Sequence, residues 1–189
     1  MANPEVGVDR GPWAPIVVVA GLVWAVAPAP TMVVEPRIVN VVYVVPIALM
    51  IVSLSALGRA IAPGPISLIG YLFTGMGLVV NAIGSILEGV VDVATLAQWG
   101  LAQGQVFYLG LFVVLVGAVF LGVGLWRETG FRFAGPMFFL VMPVTVGGFW
   151  GFTTLGMTRW NWVPITVPYG VAWVFLGYEL RDGGHRSTT

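Results

Sequence analysis

The residues able to do chemistry concentrate in one stretch. Read at steps of three and four, Gly70, Thr74, Gly77, Asn81, Ser85, Glu88 and Asp92 fall on one side of a helix with about 3.6 residues per turn. The opposite side is apolar: Phe73, Met76, Leu78, Val79, Val80, Ile83, Leu87, Val90 and Val91. The seam can form one wall of a polar cavity open to the outside, and the carboxylate pair Glu88 and Asp92 can do acid–base work or bind a hard cation through oxygen. One helical turn offers too few ligands for a closed metal cage. A second reading is open, because small residues let helices approach closely and an Asn or Ser hydrogen-bonds across such a seam. Carboxylates at a helix C-terminus oppose the macrodipole by about 0.3–1 kcal/mol unless a cation or donor compensates, which favours a site at Asn81 to Asp92 over plain boundary charges.

Other polar groups fall at a similar level. Asn40 and Tyr43, Gln105 and Tyr108, Thr153 and Thr154, and Asn161, Thr166 and Tyr169 all lie in the outer halves of the apolar spans described next. They are expected either to line a pocket for a polar or amphipathic ligand or to form an interfacial belt of aromatic and amide groups. Asn81, Ser85, Glu88, Asp92, Asn40 and Tyr43 are the candidate ligand-binding residues. Glu35 and Arg37, which flank Pro36, are expected either to pair with each other or to present Arg37 to Glu88.

The elements that position these residues are membrane spans. Of 189 residues, 58% are hydrophobic and 8% charged, against roughly a quarter charged in a soluble domain. The pattern predicts an all-α, polytopic integral membrane protein with six transmembrane helices, at about 13–34, 38–57, 66–90, 106–126, 133–155 and 163–180, each near the ~20 residues that cross a bilayer. A polar lead-in, 1–12, and a polar, mobile tail, 181–189, flank this domain. A cleaved signal peptide is disfavoured by the length of the first span and by Pro28 and Pro30. The segment from Val93 to Gln105 is expected to form a helix lying in the interface. Arg10, Arg59, Arg127, Arg132, Arg181 and Arg186 fall on one side and Arg37 and Arg159 on the other, which makes both termini cytoplasmic and the location the plasma membrane.

Prolines at Pro46, Pro143, Pro164 and Pro168 are expected to kink their helices. Gly110, Gly117 and Gly124 recur every seven residues, and Gly147 pairs with Gly151 four residues on; these faces suit packing inside the bundle, a homo-oligomer, or a partner in a membrane complex. Arg127, Glu128 and Arg132 form the most charged turn, which is either simply solvated or touches anionic head groups. Laying spans one to three over four to six gives no convincing identities.

Several function classes are excluded. The net charge is zero, the cations are all arginine, and no basic patch suggests a nucleic-acid partner. Cysteine is missing and His185, the one histidine, lies in the tail, so no cofactor such as haem or an iron–sulfur cluster is expected. No Gly-x-Ser-x-Gly elbow, phosphate-cradling loop or His-Glu-x-x-His occurs, and no enzyme activity is expected.

Trp126-Arg127, Gly130, Arg132 and Ala134-Gly135, followed by Pro168-Tyr169-Gly170, Ala172-Trp173 and Leu176-Gly177-Tyr178, resemble a group of uncharacterised six-helix integral membrane proteins of high-GC bacteria and archaea. The resemblance covers the C-terminal third and implies a fold, not an activity. Length and span count are also similar to substrate-binding components of vitamin-uptake transporters, without any motif of theirs. The expected function is a small membrane binding or transport protein with an outward-facing polar pocket; the alternative is a structural or accessory subunit of a larger membrane complex.

Overall fold

A computed structural model describes residues 11–32, 36–61, 63–129, 131–157 and 160–185. The described residues form α1 (Ala14–Val26), α2 (Pro36–Ala60), α3 (Pro65–Val90), the short α4 (Val93–Gln98), α5 (Gln105–Glu128), α6 (Ala134–Thr154) and α7 (Trp162–His185), with single 3-10 turns at Gly11–Trp13 and Ala29–Met32. Five helices, α2, α3, α5, α6 and α7, are long and apolar enough to cross a membrane; α1, with 13 residues, is a shorter apolar helix. Lead-in residues 1–10, Glu35, Arg159 and the last four residues lie outside the described ones, and so do the side chains of Arg37 and His185. The polar tail differs from expectation, because α7 carries its helix through Arg181 and Asp182 to His185. The predicted helix over 93–105 is confined to α4, which ends at Gln98.

The long helices and α1 pack as a closed ring in the order α1, α2, α3, α5, α6, α7 and back to α1, each antiparallel to its neighbours. Inside the ring sit Trp24, Ile47, Met50, Leu78, Phe138, Tyr169 and Trp173, all fully buried. Outside it, Val79, Ile83, Phe112, Leu140 and Val144 are exposed, the face that lipid solvates. Leu78 departs from the predicted apolar face: it turns inward beside the polar seam.

The closest pair is α3 with α5, and the reason is glycine. Gly70, Gly77 and Gly84 of α3 lie against the backbone of Leu121, Val114 and Phe107, while Gly110, Gly117 and Gly124 of α5 lie against Asn81, Thr74 and Ser67. A Cβ on Gly77 would stand 2.6 Å from the Val114 amide nitrogen, and one on Gly117 would stand 2.5 Å from that of Thr74. Each helix thus alternates a glycine with a larger residue, and each larger residue fills the partner's glycine notch. The pattern repeats forty positions on: Gly64, Gly70, Gly77, Gly84 and Glu88 of the first helix correspond to Gly104, Gly110, Gly117, Gly124 and Glu128 of the second. A pseudo-twofold axis between antiparallel neighbours relates them. Laying one half of the chain over the other cannot find it, because it joins adjacent spans.

A second close pair, α1 with α7, uses Gly21 and Gly170, each placed against the other's carbonyl oxygen. Prolines are less uniform than expected. Pro46, Pro143 and Pro168 are inside helices, whereas Pro164 stands in the first turn of α7, where its missing N–H has no partner to lose.

Candidate functional site

The α3 seam is buried along its length up to Ser85. Thr74, Asn81 and Ser85 have no exposed surface. The Asn81 side-chain amide donates to the Phe107 carbonyl oxygen across the close approach at 3.0 Å. One turn further on, Glu88 is half-buried and accepts from the Asn40 amide of α2 at 3.5 Å, the long limit of a hydrogen bond. Tyr43, one turn along α2 from Asn40, is buried with its ring 5.4 Å from that of Trp24 and 5.6 Å from that of Phe107. Five of the six candidates, Asn40, Tyr43, Asn81, Ser85 and Glu88, are therefore brought to the α2–α3–α5 junction.

Asp92 is not. The chain leaves the helix at Val91, and Asp92 adopts an extended conformation to cap α4, accepting from the Thr95 amide at 2.9 Å and the Thr95 hydroxyl at 2.8 Å. These two bonds, the amide first, hold its carboxyl below the usual carboxylate range, and its side chain is exposed. The wider polar group also disperses. Tyr108 is exposed, Gln105 accepts from the Ala102 amide, and the Thr153 and Thr154 hydroxyls bond back to Phe149 and Trp150 of their own helix.

Three oxygens at the junction have no donor: Asn81 Oδ1, Ser85 Oγ and Glu88 Oε1 are buried and unpaired. Buried polar atoms are nearly always satisfied, so three together demand a reason. The protein supplies its own comparison. Glu128, the pseudo-twofold counterpart of Glu88, accepts from the Ile66 amide at 2.9 Å, the Ser67 amide at 3.0 Å and the Ser67 hydroxyl at 2.6 Å. It thereby caps α3, whose own N-cap residue, Gly64, has no side chain to do so. Glu179 of α7 does the same for α6, accepting from the amides of Arg132, Phe133 and Ala134 at 2.8–3.0 Å. Glu88 stands beside the Gly104 amide at the start of α5, yet it keeps an oxygen unpaired.

Sequence reasoning missed the capping roles of Glu128, read as part of a charged turn, and of Glu179, which falls within the sixth predicted span. It also missed a second polar group at the ring's centre. Trp24 Nε1, Thr74 Oγ1, Thr145 Oγ1, Tyr169 Oη and Trp173 Nε1 are buried without partners. The Tyr169 hydroxyl adjoins Thr74 and Trp173, and its ring lies 5.5 Å from that of Trp24. Tryptophans inside apolar runs look like lipid anchors, so only their ring contacts reveal them.

Two surface clefts of about 340 Å³ each are lined elsewhere, one by Ala14, Val18, Gly177, Tyr178 and Arg181, the other by Ser55, Gly58, Arg59 and Tyr71. Neither touches the candidate residues. No protein family, curated protein or solved structure matches this chain.

Proposed function

We propose that this chain is a small solute-binding or transport protein of the plasma membrane, crossing it six times with both termini cytoplasmic. Its site is the junction of Asn40, Tyr43, Asn81, Ser85 and Glu88, facing outward. The arginine asymmetry supports the orientation. The short α1 serves as the sixth span with the help of its flanking 3-10 turns. The observation that carries the reading is the set of unpaired oxygens on Asn81, Ser85 and Glu88, since polar groups in the apolar interior of a membrane protein are costly and mark function. The test is a thermal-shift screen of the detergent-purified protein against cations, vitamins and lipids, with an Asn81→Leu/Glu88→Gln variant as reference. A compound that stabilises the parent and not the variant supports the site; equal responses for every compound refute it.

One observation favours the second reading, an accessory subunit. Gly147 and Gly151, four residues apart on the sparsely covered α6, have no neighbouring atom within 4 Å of a Cβ position, unlike the glycines of the α3–α5 pair. Such a face suits a partner helix. Native mass measurement from gentle detergent showing only monomer removes that support.

A further inference from the structure

We propose that the junction binds a monovalent metal cation, sodium or potassium, through Asn81 Oδ1, Ser85 Oγ and Glu88 Oε1. The proposal rests on reading the junction as a binding site and names the chemistry of its occupant. All three unpaired atoms are oxygens, an amide carbonyl, a hydroxyl and a carboxylate, and such a donor set selects hard cations. Their spacing of four and three residues keeps them on one helical face, with a rise of about 6 Å from Asn81 to Ser85 and about 4.5 Å from Ser85 to Glu88. The total rise of about 10.5 Å exceeds the reach of one ion's direct ligands, so the ion rests on Ser85 Oγ and Glu88 Oε1 and meets Asn81 Oδ1 through a bridging water.

Charge decides the valence. Glu88 is the one carboxylate at the junction, and among the described residues no three of His, Cys, Asp and Glu gather anywhere. Among the described side chains at the junction Glu88 carries the one charge, which a monovalent ion balances and a divalent ion overcompensates. The comparison within the fold carries equal weight. Glu128 and Glu179 occupy helix-end positions like that of Glu88 and use both oxygens on backbone donors, so the fold can satisfy a glutamate there. At Glu88 one oxygen is left for something else, next to two further oxygens in the same condition.

The experiment measures unfolding of the full-length protein in detergent by tryptophan fluorescence, in sodium, potassium or choline chloride at equal ionic strength and neutral pH. The expected result is a saturable rise in midpoint with sodium or potassium over choline, on the order of 5 °C at a hundredfold excess over Kd. Ser85→Ala and Glu88→Gln abolish the rise, and Gly147→Ala retains it. Identical midpoints of the parent in all three salts overturn the cation. A Glu88→Gln protein in choline that already matches the ion-saturated parent also overturns it, making the occupant a proton. Should the variants fold poorly, broadening of the sodium-23 resonance by the parent, reversed by excess potassium, supports the site, and no broadening overturns a sodium site. If a solute from the screen stabilises the parent over Asn81→Leu/Glu88→Gln while no ion does, the binding site stands and only its cation falls.

Discussion

Replacing Gly77 by alanine tests the glycine notches at the middle of the α3–α5 seam. The added methyl would lie 2.6 Å from the Val114 amide nitrogen, 2.8 Å from the Gly110 carbonyl oxygen and 2.8 Å from Val114 Cγ2. Two of these three atoms are backbone, so no rotamer change relieves the contact and the helices must part by roughly 1 Å, a gap that forfeits a quarter to a half of each affected dispersion contact. Overpacking of this kind costs about 1–3 kcal/mol, while alanine recovers up to about 1 kcal/mol of helix propensity. With the full propensity gain the net lies between near zero and a loss of about 2 kcal/mol, up to about 8 °C in unfolding midpoint for a chain of this size, and about 1–3 kcal/mol below an alanine that has the gain alone. Gly75→Ala, whose methyl would make an ordinary 3.4 Å contact with Leu54, and Gly147→Ala, which meets nothing within 4 Å, provide matched controls with the propensity gain alone. Gly117→Ala, at the pseudo-twofold counterpart of Gly77, should lose as much as Gly77→Ala. The assay is unfolding of detergent-solubilised protein followed by tryptophan fluorescence. A Gly77→Ala protein as stable as the two controls would refute the close-packing account.

Three further outcomes follow from the site geometry. Glu128→Gln should lower the unfolding midpoint more than Glu88→Gln does in choline, because the first carboxylate makes three short bonds to α3 and the second has one long bond from Asn40 besides the nearby Gly104 amide; the same fluorescence melts check it. Tyr169→Phe should be neutral or stabilising, because it deletes a buried hydroxyl without a well-formed hydrogen bond; a loss above about 1 kcal/mol would mean that the adjoining Thr74 and Trp173, or bound water, satisfy it. The Asp92 carboxyl is held below its ordinary value, so its cap on α4 is in full force above the unfolded-state pKa and is lost as pH falls through the folded one. Amide exchange in residues 93–98 should accelerate, relative to the intrinsic rate, over that acidic range in the parent and be fast throughout in Asp92→Ala, and a parent profile unaffected by pH would contradict the cap.

The helices and the buried side of α3 were readable because apolar runs and the three-and-four spacing are local. The seam at Gly70, Thr74, Gly77 and Asn81 is where the periodicity put it. What failed to read were features that depend on a partner. Leu78 lies on the flank of the polar stripe, a flank that becomes interior where α2 and α5 pack on either side of α3. Asp92 follows the helical spacing, yet the extended conformation at Val91 breaks the helix first. Glu128 and Glu179 required knowledge of which helix N-terminus lies opposite. Thr153 and Thr154 looked like pocket residues by level, and their hydroxyls are absorbed by their own helix.

The pseudo-twofold match of α3 with α5 has a consequence for how the chain enters a membrane. A hairpin whose halves exchange glycine for glycine and glutamate for glutamate looks nearly alike when turned upside down. Its own apolar content gives an insertion machinery little basis for choosing an orientation. The choice falls to the flanks, where Arg59, Arg127 and Arg132 mark one end and residues 91–104 at the other carry no arginine. Moving a few positive charges between those flanks is then the smallest edit that turns the hairpin over, leaving its internal fit untouched.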